Sequence, residues 1–181
     1  MAKISGGTRT YNAGTATYQK RLAHFNLEYS KTATDGSRSF FDRKSGGYVL
    51  VNKEHNQIVD SMKDKEDIAV KALAARGYKI ELLSEKKPDG VKSPDGTING
   101  KLMDIKTVNS AGKYTVKNSF LNAIDQGARN VILYQNNEKI DKDYIVSRIE
   151  KFKKQYHDKA RQIDVVYIVG LSGKVHRRKM N

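Results

Sequence analysis

The chain has 181 residues, 38% of them hydrophobic, enough for one domain of ordinary size with a small N-terminal addition. It has no cysteine, which excludes disulfides and thiolate metal sites. It also has no apolar run long enough to span a bilayer, and its N-terminus lacks the apolar centre of a signal peptide. A formal net charge of +14 points to a polyanionic partner, with nucleic acid ahead of a membrane surface, since no basic amphipathic helix with a strong aromatic face supports the latter. Half of the excess lies in the last 31 residues, where nine Lys and Arg residues face two aspartates.

In chain order, residues 1–12 read as a loose Gly/Thr/Ser-rich start. Residues 15–29 read as a helix with Tyr18, Leu22 and Phe25 on one side. "TATDGSRS" is a loop, and "SFFDRKSGGYVLVN" a hairpin around Ser45-Gly46-Gly47. A break between this extension (1–60) and the main domain (61–181) is expected near residues 53–62. Residues 62–76 then form a helix that Gly77 stops, and "YKIELL" is a strand. The 88–107 segment supplies two more strands, "VKNSFLNAIDQGARN" a helix that Ser119 could cap, and "NVILYQ" a buried strand. "DKDYIVSRIEKFKKQYHDK" is a helix turning Ile145, Ile149 and Phe152 inward. "DVVYIVG" and "VHRR" are the last strands, joined by the "LSGK" turn. The alternation predicts an α/β fold, a mixed sheet flanked by helices.

One stretch asks for an explanation. In "SPDGTINGKLMDIKT", Asn99-Gly100 suits a two-residue turn with positive φ at both positions. Counting back from that turn sets Asp95 opposite Asp104. Two carboxylates about 5 Å apart repel by roughly 3 kcal/mol at an effective dielectric near 20. They need a shared proton, cationic neighbours or a metal. Alternation places Lys106 on the face of Asp104 and sends Met103 and Ile105 to the other side, towards the core. In the preceding helix, Glu66 shares a face with Met62, Ala69, Val70 and Leu73, whereas Asp64 and Asp67 fall outward. An inward glutamate requires a partner. Paired carboxylates with an adjacent lysine suit Mg²⁺-assisted phosphodiester hydrolysis. The plainer reading makes Asp95 a turn residue of Ser93-Pro94-Asp95-Gly96 and leaves Asp104 and Glu66 to nearby lysines.

The order Glu66, then Pro94-Asp95, then Asp104-Ile105-Lys106 resembles the PD-(D/E)xK nuclease superfamily. More narrowly, residues 64–176 are similar to C-terminal nuclease domains of contact-dependent growth inhibition toxins, domains of a kind also appended to phage head-morphogenesis proteins. The shared layout runs through "ALAARGYKI", "KSPDGTINGKLMD", "AIDQGARN", an apolar strand and a final hairpin ending in Gly-Lys-Val.

The resemblance implies a restriction-endonuclease-like core and a divalent metal, Mg²⁺ first and Mn²⁺ or Zn²⁺ after it. Asp95, Asp104 and Glu66 would be the ligands and Lys106 the catalytic lysine. It further implies tRNA or other RNA as substrate, with DNA as the alternative, and a cognate immunity protein. Asp89 rivals Asp95, Glu54 rivals Glu66, and Lys113 and Lys117 rival Lys106. Lys113, Lys117, Lys174, Arg177, Arg178 and Lys179 are the expected nucleic-acid contacts, and Tyr114 is the first candidate to stack on an unpaired base. His24, His55, His157 and His176 lack zinc-like spacing, although His55 or His176 could serve a metal-independent RNase. A binding module that keeps the fold without the chemistry is the reading from another class.

Overall fold

The computed structural model describes residues 10–32, 38–57, 60–86, 88 and 90–180, without the side chains of 32, 56–57 and 60–64. Expectations resting on residues 1–9 and 33–37, on Lys87 and Asp89, and on the side chains of Met62, Lys63 and Asp64 lie outside the described residues. The described elements are α1 (Ala16–Thr32), β1 (Phe40–Phe41), β2 (Tyr48–Val51), a 3₁₀ turn (Lys53–Gln57), α2 (Asp60–Ala74), β3 (Lys79–Leu82), β4 (Gly96–Ile98) and β5 (Lys101–Val108). They continue with α3 (Thr115–Asp125), β6 (Asn130–Gln135), α4 (Lys142–Gln155), α5 (His157–Ala160), β7 (Val165–Val169) and β8 (Val175–Lys179). This is the expected α/β class, with strands in mixed pairing and helices packed on them. Among the described residues no helix is long and apolar enough to cross a membrane.

The chain divides into two compact units. One holds Gly7–Val91 with Asp95–Lys101. In it β2 pairs antiparallel with β1 and parallel with β3, and β3 pairs antiparallel with β4. Tyr48 and Leu50 turn to α1, where they cluster with Phe25 and Phe41. The alternate positions, Val49 and Val51, are fully buried, as are Ala69, Val70 and Leu73 of α2. Arg21 ties α1 to the β1–β2 turn and to the α2–β3 connection by donating to the carbonyls of Gly46 (3.1 Å) and Gly77 (2.6 Å), respectively. Burial pulls the Arg21 pKa down.

The β1–β2 turn packs against the end of α2, and Ser45 Oγ donates to the Ala74 carbonyl at 2.7 Å. A Cβ on Gly47 would lie 2.0 Å from that same carbonyl oxygen, so only glycine fits. Gly47→Ala is therefore expected to destabilise this unit by about 1–3 kcal/mol, the usual range for overpacking, or more because the obstacle is backbone. Urea unfolding of the variant checks this.

The second unit is built on Lys92–Pro94 and Leu102–Asn181. Here β5, β6 and β7 run parallel, and β8 closes antiparallel on β7. The continuously apolar runs of β6 and β7 are buried on both faces, as parallel strands under helices require. Ile145, Ile149 and Phe152 of α4 join Val116 and Phe120 of α3 over Val131, Leu133, Val166 and Ile168.

Two expectations need correction. Ser119 does not cap α3. The helix starts four residues earlier, and the buried Ser119 hydroxyl donates back to the Thr115 carbonyl at 3.0 Å. The last long helix does not run through residue 159, because Tyr156 leaves helical geometry (φ −130°, ψ 51°) and α5 restarts after it. Asp141 caps α4 by accepting from the Tyr144 N–H at 2.6 Å.

Candidate active site

The Asn99-Gly100 turn forms as expected, with φ of 50° and 81°. It is pinned to the start of β3, since the Asn99 N–H donates to the Lys79 carbonyl and Asn99 Oδ1 accepts from the Lys79 N–H. Past this turn, β5 carries Asp104 and Lys106 in register with Val131 and Leu133 of β6. Those neighbours belong to the core beneath α3 and α4, so the Asp104 face is itself a buried face. Met103 is buried as expected, yet a core lies on the Asp104 side as well, because a strand within a parallel sheet has both faces covered.

The Asp104 side chain is 0% exposed, and Lys106 Nζ stands 2.6 Å from its Oδ2. A buried carboxylate needs a counter-charge to stay ionised, and this lysine supplies it. Lys106 is 23% exposed and also donates to Gln126 Oε1 at 3.1 Å, at the C-terminal end of α3. The pair thus combines a desolvated anion with a fixed ammonium that still reaches solvent. Gln126 gave no signal in the sequence beyond its place before a helix-stopping glycine.

The other expected residues gather in the first unit. Glu66 does turn inward, where Oε1 meets His55 Nε2 at 2.7 Å and Arg38 Nη2 at 3.3 Å. Asp67 is not a solvent residue. One step round the helix from Glu66, it stays within reach of the same guanidinium, and Arg38 Nε donates to its Oδ1 at 2.6 Å. Asp95 lies just ahead of β4, its carbonyl accepting from the Leu83 N–H at 2.9 Å. Glu85, which the sequence reading passed over, sits among these groups. Burial chiefly raises its pKa, and the Glu66 and Asp95 carboxylates push the same way against the opposing His55 and Arg38.

Glu54 is engaged elsewhere, accepting from Ser84 and pairing with Lys86 at 3.4 Å. The Ser84 bond is the main reason its pKa is lowered. Among the described residues no three of His, Cys, Asp and Glu are arranged to hold a metal ion. A cation approaching Glu66 Oε1 would have to displace His55 and Arg38.

His55 is only 2% exposed, with Nδ1 2.7 Å from the Leu83 carbonyl and Nε2 on Glu66. Both ring nitrogens therefore face acceptors, an arrangement that suits the doubly protonated imidazolium. Burial lowers its pKa, but the bond and charge of Glu66, with help from Leu83, outweigh this, and the net shift is upward. A raised folded-state pKa gives stability that is complete below about pH 6.5, the unfolded value, and is lost as pH rises through the folded value. The urea midpoint is expected to fall across that window, and His55→Asn is expected to flatten this slope.

The expected nucleic-acid contacts distribute unevenly. Lys113 and Lys117 place their ammonium groups 5.2 and 4.7 Å from the centre of the Tyr114 ring, at the opposite end of α3 from Gln126. In β8, strand alternation separates Arg177 and Lys179 from Arg178. Arg178 is bound by Glu150 of α4 through Nε at 3.1 Å and Nη2 at 2.6 Å. Lys174 lies in the turn before β8. Of the histidines, His24 meets Glu81 at 3.2 Å and His157 lies exposed beside Asp158, and neither joins a ligand cluster.

Residues 92–175, just under half of the chain, match the family model described as the contact-dependent growth inhibition CdiA C-terminal domain. That stretch contains Asp95, Asp104, Lys106 and the Lys113–Lys117 segment. Among solved structures, the chain is similar to one from Burkholderia pseudomallei described as a CdiA-CT/CdiI toxin and immunity complex. The TM-score is 0.52 at 18% identity, covering 72% of this chain and 98% of that one, a likeness of fold. No curated protein is similar enough in sequence to count as a relative.

Proposed function

We propose that this chain is a metal-dependent endonuclease that hydrolyses nucleic-acid phosphodiesters, with tRNA or other RNA preferred to DNA, and that it acts as the toxin of a toxin–immunity pair. The observation that carries the reading is the buried Asp104 with Lys106 at 2.6 Å, inside the stretch that matches the CdiA C-terminal domain. The net charge of +14 supports a polyanionic substrate. It also suits an acidic immunity protein, and the neighbouring fold comes from a toxin and immunity complex.

Asp104 is the anchor of the proposed site, with Asp95 and Glu66 as the further ligands that the sequence order suggests. Mg²⁺ binds through one or two carboxylates and keeps several waters, so to hold it the Asp104 side chain, 0% exposed and paired with Lys106, would have to open to water. Bound there, the ion would polarise the scissile phosphate and lower the pKa of an attacking water. Lys106 would hold positive charge beside the pentavalent phosphate as negative charge develops. A metal-independent mechanism through His55 is disfavoured by its burial and by the two acceptors on its ring.

The test is cleavage of total tRNA and of linear DNA by the purified chain, in Mg²⁺ and in EDTA, beside Asp104→Ala. Cutting that needs the ion and disappears in the variant supports the reading and selects the polymer. Cutting that survives both changes overturns it. Steeply salt-dependent binding of both polymers without cutting would make the chain a binding module.

A further inference from the structure

A pocket of about 230 Å³ opens in the second unit between the start of α3 and the C-terminal half of α4. Lys113, Lys117, Arg148 and Lys151 surround it, and Tyr114 and Tyr156 stand in its wall; among the described residues none that lines it is acidic. Among the described residues none of these four cations has a carboxylate within ion-pair distance, although the same helix α4 supplies Glu150 to Arg178. Arg148 Nε is buried without a hydrogen-bond partner, its guanidinium lying 4.9 Å from the Tyr144 ring centre. Lys117 reaches both pocket tyrosines, at 4.7 Å from Tyr114 and 5.8 Å from Tyr156. Four like charges around one concavity repel each other unless an anion enters it.

From this geometry we infer that the α3–α4 pocket is a subsite for one unpaired nucleotide of a single-stranded substrate, base against Tyr114 and phosphate among Lys117, Arg148 and Lys151. Tyr114 is 54% exposed, and a base stacking on its ring would take the place of the Lys113 and Lys117 ammonium groups now over it, which can pass to the phosphate. Aromatic rings interleaved with unpaired cations suit a nucleotide better than a carboxylate-bearing protein surface, which would use the cations and leave the rings idle. The eleven residues of α3 extend about 16 Å, so the subsite lies well away from Asp104 and Lys106 and would hold a nucleotide other than those being cut. The inference rests on the nucleic-acid reading above but not on cleavage.

The experiment is fluorescence anisotropy with a labelled short oligouridylate and with a labelled RNA duplex of equal phosphate number. It is run in EDTA so that no cutting occurs, on the whole chain and on Tyr114→Ala, Tyr114→Phe and Lys117→Ala. Tyr114→Ala is expected to weaken single-strand binding by about tenfold or more and to leave the duplex nearly unchanged, while Tyr114→Phe retains binding. Lys117→Ala is expected to reduce the single-strand salt slope by about 0.7. Equal losses on single strand and duplex, or no loss with Tyr114→Ala, overturn the assignment. So does a loss confined to competition by polyglutamate, which would give the pocket to an acidic protein. Binding that depends on Tyr114 in a protein that never cuts would keep the subsite and sink the nuclease reading.

Discussion

Replacing Glu66 by glutamine is expected to lower the stability of the β1–β4 unit by about 3–5 kcal/mol near pH 6, the cost of breaking a buried ion pair from one side. Glu66 is 11% exposed and is the anion for two nearly buried cations, Arg38 and the His55 imidazolium. Arg38 keeps Asp67, but His55 is left with an amide, the Leu83 carbonyl and the more distant Glu85 carboxylate at 3.7 Å. The histidine can escape the penalty by shedding its proton, which becomes easier as pH rises. The gap between wild type and variant should therefore narrow towards pH 9 as the wild type loses the same interaction. Urea midpoints at the two ends of the range measure this. Stability unchanged within about 0.5 kcal/mol, the span of ordinary surface substitutions, would sink the structural role. If cleavage were abolished at the same time, Glu66 would stand as a ligand kept for chemistry.

That pairing also shows where the sequence was legible and where it was not. Helical periodicity was enough to turn Glu66 inward, because its face was marked by Ala69, Val70 and Leu73. It could not name the partners. Arg38 comes from a stretch that reads only as a loop, and His55 from the segment expected to be a boundary. Long-range pairings of single polar residues leave no periodic trace, whereas β6, β7 and α4 announce themselves because burial repeats along them.

The Asn99-Gly100 turn was legible for a local reason, the need for two positive φ angles. Charge counting over the C-terminal segment was least informative. It sums along the chain, whereas strand alternation sends Arg178 to Glu150 and leaves Lys179 exposed. The α3–α4 pocket draws on Lys113, Tyr114 and Lys117, which adjoin in sequence, and on Arg148, Lys151 and Tyr156 from α4 and its end, which only the fold brings to them.

Asp104→Asn and Lys106→Ala are expected to part company on stability while agreeing on activity. For cleavage, removing the buried carboxylate should forfeit several kcal/mol of transition-state stabilisation. At about 1.4 kcal/mol per decade, that is a loss in kcat of roughly a thousandfold or more. Removing the lysine should cost about a hundred- to a thousandfold, the range seen when one preorganised donor is lost. For folding the order reverses. Asp104→Asn leaves an ammonium that is 23% exposed and can turn to water or stay on Gln126, so its cost should be small. Lys106→Ala takes the lysine from a carboxylate with 0% exposure, and the loss should approach 3–5 kcal/mol. Lys106→Arg then separates the two roles. It returns positive charge to the buried aspartate and should recover most of the stability. A planar fork in place of a compact ammonium should leave kcat depressed. A Lys106→Ala variant that is unstable but cuts at the wild-type rate would make the lysine a counter-ion only. The catalytic cation would then have to be sought at Lys113 or Lys117, whose positions over Tyr114 would need to change when substrate arrives.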